Sequence, residues 1–297
     1  MKTTPATHRR LPLALAAVLF ALCAGTAGAQ SRQTGFAEVN GTRLYYEAEG
    51  SGEPLVFIHG FTLDTRMWDP QFDEFAKRYR VIRYDARGFG RSGPITGPFS
   101  SADDLHALLE QLGVKQAYVV GLSMGGRYAI DFSLKYPATV RRLVLVDSGL
   151  GGQPVPGVAK PIGLSIEAAK KGDMAEAKRL WLAHPLFVPA SEQPQVAAEL
   201  KRMVDDYSGW HFAQGGLGAQ EQPLQPPAAQ RLGEIKAPTL VVVGARDLPD
   251  LLAIADKLAK EIPGARLAVI QNVGHMSNME APAEFNRVVL DYLARGK

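Results

Sequence analysis

Gly121-Leu122-Ser123-Met124-Gly125-Gly126 lies between the apolar run Ala117-Tyr118-Val119-Val120 and a segment, 127–134, with helical periodicity. A strand, then G-x-S-x-G, then a helix is the context of a nucleophile elbow. The serine must sit on a sharp turn with strained backbone angles so that its hydroxyl stands clear of the sheet. Gly121 and Gly125 leave room for that turn, because a Cβ at either position would collide with neighbouring chain. The first amides of the following helix point at the same spot and favour a developing negative charge. A serine in the Gly-rich turn of an ordinary α/β protein would show the same five letters. The partners of Ser123 elsewhere in the chain therefore decide whether it does chemistry.

The rest of the chain has the rhythm such an elbow requires. Residues 36–47 read as a β-hairpin with Asn40-Gly41 at its turn. Pro54-Leu55-Val56-Phe57-Ile58-His59 is an apolar strand of the kind found inside a covered parallel sheet. Further strands follow at 80–85, 143–147, 239–243 and 266–270, with helices at 67–79, 101–112, 127–136, 251–262 and 283–294 between and after them. Asp64 or Thr65 can cap the first helix. Alternation of this kind predicts an α/β fold with a mostly parallel sheet wound on both faces. The rhythm breaks over 149–234, where 162–184 and 193–207 look helical and prolines punctuate the rest. We read this segment as a helical cap inserted into a core made of 30–148 and 235–297.

Residues 1–29 have the form of a secretory leader. Lys2, Arg9 and Arg10 precede an apolar stretch at 11–23, and Ala27-Gly28-Ala29 offers a small-residue cleavage site before Gln30. The expected location is periplasmic or secreted, with no membrane span after cleavage. The chain has 33 basic and 30 acidic residues, so removing these three basic residues leaves 30 of each. A neutral mature chain has no basic stripe for nucleic acid or an anionic membrane. Cys23 is the single cysteine and leaves with the leader, so no disulfide is expected. With no Cys cluster or close His pair, neither a metal nor another cofactor is expected.

A serine hydroxyl needs a base, and the base needs an acid to orient it. His275 lies just past the last expected strand and Asp247 just past the one before it, both at the sheet edge that holds Ser123. Asp147 and Asp250 compete with Asp247 for the acid role. The order Ser123, Asp247, His275 is far more specific than the elbow alone. Two main-chain donors should bind the oxyanion: the N–H of Met124 and, after Gly60, that of Phe61. His59, next to that glycine, is expected to hydrogen-bond within its loop rather than to act as a base. Trp181, Phe187, Tyr207, Trp210 and Phe212 are cap aromatics that could line a substrate pocket or form the cap's own core.

The chain resembles the α/β-hydrolase family over nearly all of 36–295. The residues that carry the resemblance are His59-Gly60-Phe61, Asp85-Ala86-Arg87-Gly88-Phe89-Gly90-Arg91-Ser92, the elbow, Gly244-Ala245-Arg246-Asp247 and Gly274-His275. The resemblance implies that Asp85, Arg87 and Ser92 are scaffold and that 149–234 is the family's cap domain. The elbow is similar to those of small bacterial serine esterases, cofactor-free perhydrolases and 3-oxoadipate enol-lactonases. Carbon–carbon bond hydrolases share its S-M-G-G. The expectation is an exported serine hydrolase of small esters or lactones. Carbon–carbon bond or amide hydrolysis with the same triad is the alternative, followed by a non-catalytic binding protein on the same scaffold.

Overall fold

The structure is a computed structural model that describes residues 1–3, 32–216 and 218–295. All but the first three residues of the expected leader and its cleavage site lie outside the described residues. Strands β1 (Gln33–Val39) and β2 (Thr42–Glu49) form the expected hairpin. Its turn residues Asn40 and Gly41 have φ of 44° and 75°. That pair of positive angles fits a two-residue turn whose twist matches the strands it joins.

The remaining strands are β3 (Pro54–Ile58), β4 (Arg80–Tyr84), β5 (Ala117–Leu122), β6 (Val140–Val146), β7 (Thr239–Gly244) and β8 (Arg266–Ile270). All eight form one sheet in the order β1-β2-β4-β3-β5-β6-β7-β8. β2 is antiparallel to both its neighbours, and β3 to β8 are parallel. Every residue of β5 and β7 is buried, as continuous Val/Leu runs between two helical layers require. β8 departs from that pattern. It is the edge strand, and Leu267 and Val269 are exposed despite their apolar character.

The strand order reverses at β3. The chain runs from β3 through α1 (Asp69–Ala76) outward to β4, then through α2 (Ser101–Gln111) back across to β5. Right-handed crossovers in opposite directions place these two helices on opposite faces of the sheet. α3 (Met124–Lys135) packs beside α2, and the C-terminal α11 (Pro282–Ala294) beside α1. The reversal opens a crevice between the carboxyl ends of β3 and β5, the usual binding place in an open parallel sheet. Phe61 follows β3 and Ser123 follows β5, so both lie at this crevice.

α1 is shorter than its apolar spacing suggests. Asp64 caps a single turn at Thr65–Trp68, accepting from the Arg66 N–H at 3.0 Å, before α1 proper begins. The helix ends at Ala76, and the N–H groups of Arg78 and Tyr79 both turn back to the Phe75 carbonyl.

Between β6 and β7 the described residues form helices α4 (Pro156–Lys170), α5 (Met174–Leu182), α6 (Val188–Ser191), α7 (Pro194–Asp206) and α8 (Trp210–Ala213). The run expected over 162–184 is thus two helices. Gly172, at φ 85°, ends the first, and Asp173 caps the second by accepting from the Glu176 N–H at 2.9 Å. Pro161 lies inside α4 rather than breaking it. α9 (Pro249–Glu261) follows β7, and the short α10 (Ser277–Glu280) precedes α11.

Candidate active site

Ser123 has φ 56° and ψ −111°, a conformation that L-residues rarely adopt. It is held by its surroundings. The Ser123 N–H donates to the Val146 carbonyl at 2.9 Å, and its own carbonyl accepts from Arg127 and Gly149 at 3.0 Å each. A Cβ on Gly121 would run into the Gly125 carbonyl, and one on Gly125 into the Ile58 carbonyl. Both glycines are therefore required by close backbone approach, as the turn demands. Met124 opens α3, so its N–H has no intrahelical acceptor and faces the crevice end of the helix dipole.

Asp247 and His275 lie at the ends of β7 and β8. His275 Nδ1 is 2.9 Å from Asp247 Oδ2, and both side chains are almost wholly buried. A carboxylate at that distance makes Nδ1 the protonated nitrogen and leaves Nε2 as the lone-pair donor. Burial alone would lower the His275 pKa. The charge and hydrogen bond of Asp247, with Asp147 and Glu280 nearby, instead hold it above the ordinary 6.5. The competing acids are committed elsewhere. Asp147 accepts from Ser277 Oγ at 2.6 Å and from the Gly244 N–H at 2.8 Å, and Asp250 accepts from the Gly157 N–H at 2.7 Å.

The structure also contains two supports for His275: Glu280, which no sequence motif singles out, and Asp147, expected only as a competitor for the acid role. Glu280 accepts from the N–H groups of Gly274 (2.8 Å) and Met276 (3.0 Å), bracketing the histidine on both sides. Asp147 ties the same loop to the ends of β6 and β7 through Ser277 and Gly244. Burial, then the charge of Asp247, pushes the Asp147 carboxyl well above the usual carboxylate range. The spacing of Glu280 from Gly274 and Met276, six and four residues, is the one local signal for it in the sequence.

The loop after β3 carries the other expected oxyanion donor. The Phe61 N–H makes no backbone hydrogen bond among the described residues. His59 fixes this loop as expected: its Nδ1 lies 2.8 Å from the Gly60 carbonyl, and its Nε2 accepts from the Ala86 N–H at 2.9 Å. Both nitrogens are occupied, which leaves no base function. Thr62 has φ 63°, unusual for a β-branched residue. Its Oγ1 donates to the Phe61 carbonyl at 2.6 Å and accepts from Trp181 Nε1 at 2.7 Å.

Ser123, His275, Phe61 and Met124 line one cavity of about 290 Å³, near the lower end of the roughly 300–1,000 Å³ range of small-molecule sites. Leu122, Leu150, Val158 and Leu186 are among its walls, with Trp181 and Phe187 from the inserted helices. The other three expected aromatics do not reach it. Tyr207 and Phe212 pack edge-on against Phe61 at 6.1 and 5.7 Å between ring centroids, and half-buried Trp210 lies against His211. The Tyr207 hydroxyl is spent on His211, whose burial lowers its pKa to about 4. Packing against the Phe61 loop claims these rings before a substrate can. Apart from His275, Arg127 is the one ionisable side chain lining the cavity among the described residues. It is paired to Glu221 at 2.5 Å.

A sequence profile of the α/β-hydrolase fold matches residues 53–282. The chain belongs to the α/β-hydrolase fold family. A 2-hydroxy-6-oxononadienedioate/2-hydroxy-6-oxononatrienedioate hydrolase of Burkholderia vietnamiensis is 32% identical over 265 residues, covering 85% of this chain and 91% of that protein. A solved structure described as Est816, an N-acyl homoserine lactone degrading enzyme, is 32% identical with a TM-score of 0.71, covering 87% and 100% of the two chains. The enol-lactonase of Burkholderia xenovorans is 26% identical with a TM-score of 0.73, covering 88% and 100%. Within this hydrolase, the Asp85-to-Ser92 segment is engaged in holding loops together. Asp85 accepts from the N–H groups of Thr65 and Arg91 at 2.8 Å each. Arg87 forms a two-bond pair with Asp104. Ser92 Oγ donates to the Asp85 carbonyl and accepts from the Tyr45 N–H.

Proposed function

We propose that this α/β-hydrolase is an exported serine hydrolase that cleaves small, uncharged esters or lactones through an acyl-enzyme on Ser123. The observation that carries the reading is the shared cavity. Ser123 and the Asp247-supported His275 line one largely apolar chamber whose one permanent charge among the described residues is already neutralised. In this mechanism His275 Nε2 takes the Ser123 proton as Oγ attacks the carbonyl carbon. Asp247 holds the Nδ1 proton and stabilises the imidazolium that forms. The N–H groups of Met124 and Phe61 bind the oxyanion. His275 then gives its proton to the leaving oxygen, and water repeats the cycle to release the acid.

The inserted helices serve as the cap and set selectivity through Trp181 and Phe187. Ring-opening of a lactone uses the same steps, with the leaving oxygen kept in the acyl-enzyme. Export rests on the Lys2-to-Ala29 pattern alone and predicts a mature N-terminus at Gln30, which mass spectrometry of the secreted or periplasmic protein would read.

A second reading is carbon–carbon bond hydrolysis, supported by the Burkholderia vietnamiensis relative and the S-M-G-G elbow. A doubly anionic dienedioate would need cationic partners. Arg127, the one cation in the cavity wall among the described residues, is tied to Glu221. That charge balance favours the ester or lactone. The test is labelling with a fluorophosphonate, followed by turnover of p-nitrophenyl butyrate, a γ-lactone and a dienoate. Ser123→Ala should abolish labelling and ester turnover while leaving the melting temperature within a few degrees. Wild-type ester turnover in that variant would sink the assignment.

A further inference from the structure

Arg127 stands one helical turn after Ser123, with its guanidinium in an unusual cluster. Glu221, from the last stretch of the insertion, pairs with Nη2 at 2.5 Å, and its carboxylate is almost wholly buried. Asp131, one turn further along α3, lies 4.0 Å from Nη1. Its Oδ1 has no hydrogen-bond partner among the described residues. The segment that delivers Glu221 is fixed to the core by backbone bonds. The Phe99 N–H donates to the Gln220 carbonyl at 3.0 Å, and the Gln222 N–H to the Phe99 carbonyl at 2.8 Å. Ser101 Oγ donates to the second Glu221 oxygen at 2.9 Å. The chemistry of the elbow makes no use of this arrangement. Two buried carboxylates are brought to one arginine in the wall of the substrate cavity.

An unpaired buried arginine would be a carboxylate receptor, because its planar fork binds such groups bidentately. Bound to Glu221, its charge is already balanced, and the surplus carboxylate repels a substrate anion. We propose that Glu221 is a specificity-determining residue: by occupying Arg127 it restricts the cavity to uncharged acyl or leaving groups. Asp131 reinforces the exclusion. This inference rests on reading the cavity as the substrate site of an ester or lactone hydrolase, and it assigns the charge preference of that site to one side chain delivered by the insertion.

Glu221→Gln tests it. The amide keeps the shape and can still accept from Ser101, but it no longer neutralises Arg127. The assay compares kcat/KM for mono-p-nitrophenyl glutarate, whose acyl chain ends in a carboxylate, with that for p-nitrophenyl butyrate. The anionic-to-neutral ratio should rise about tenfold in Glu221→Gln, chiefly through KM, and further in Glu221→Gln/Asp131→Asn. Arg127→Met/Glu221→Gln should lose the gain. A ratio within twofold of wild type in Glu221→Gln, or a gain that persists without Arg127, would overturn the proposal. Binding of 4-phenylbutyrate against 4-phenylbutyramide, read by Trp181 fluorescence, follows the same preference without turnover. If no variant hydrolyses any ester, the esterase reading fails. The binding ratio still decides the role of Glu221: a shift toward the acid in Glu221→Gln supports it, and an unchanged ratio refutes it.

Discussion

Thr62→Val separates the two things the Thr62 hydroxyl does from the space it fills. Valine is close to isosteric, so the change leaves no cavity and keeps a β-branched residue at φ 63°. It removes the hydrogen bond to the Phe61 carbonyl and leaves the buried Trp181 indole N–H without its acceptor. A lost buried hydrogen bond contributes about 1 kcal/mol, and an orphaned buried donor costs about 1–3 kcal/mol. A destabilisation of about 2–4 kcal/mol is therefore expected in urea unfolding. The catalytic effect should be separate. An oxyanion donor is worth about 2.7–4 kcal/mol in the transition state. Partial misplacement of the Phe61 N–H, costing roughly half of that, lowers kcat about 10–30-fold. KM should change little, since the donor acts on charge that develops only during reaction. Thr62→Ser retains the hydroxyl and should keep most of kcat. Steady-state kinetics on p-nitrophenyl butyrate would decide it. A Thr62→Val enzyme that is destabilised yet has wild-type kcat would show that the Trp181–Thr62 link is structural only.

Other consequences concern ionisation. His275 must be neutral to take a proton, and Asp247 holds its pKa above 6.5, so kcat/KM should fall on the acid side with a midpoint above that value. Asp247→Asn should cut the rate by about 10⁴ and move the midpoint down, because burial is then opposed only by the weaker charges of Asp147 and Glu280. Burial, against the opposing charge of Arg127, raises the Asp131 pKa from 3.8 to about 6. A raised folded-state pKa means that the folded protein binds more protons, so this contribution to stability is full below pH 3.8 and is lost as pH rises towards 6. A rise of that size is worth about 3 kcal/mol. Asp131→Asn should flatten part of the stability loss between about pH 4 and 6 and raise the unfolding free energy at neutral pH by about 1–3 kcal/mol. A variant less stable than wild type at neutral pH would contradict this.

The parallel sheet was legible because its inner strands are buried on both faces and its strands, the exposed edge strand β8 included, leave nearly uninterrupted apolar runs. The positions of Ser123, Asp247 and His275 were legible because each follows such a run, and the carboxyl ends of parallel strands share one edge. The orientation of Asp247 towards His275 is a property of the loop that no spacing encodes. The roles of the insertion's aromatics were not legible for a related reason. Helical periodicity says which face of α5 or α7 is buried, but not whether that face meets a substrate cavity or a core loop. Glu280 was equally hidden, and Asp147 was visible only as a rival for the acid role. A carboxylate that accepts from main-chain N–H groups looks, in sequence, like any acid near a helix.

Phe61 shows why the insertion cannot be treated as a separable selectivity element. Its ring meets Trp181 at 5.4 Å, Phe212 at 5.7 Å, Tyr207 at 6.1 Å and Phe89 at 6.0 Å, each near edge-on. Three of those four partners belong to the insertion, and the fourth to the Asp85–Ser92 segment. The backbone of the same residue carries the proposed second oxyanion donor. Trp181 both lines the cavity and, through Thr62, holds that donor's loop. A substitution at Trp181 that enlarges the pocket for a bulkier acyl group therefore also loosens the oxyanion site, and should lower kcat for every substrate while changing which one binds. A change at the Val158 side chain, which lines the same cavity, can alter selectivity without that cost, whereas Phe187 packs edge-on against Trp181 at 5.4 Å and shares it.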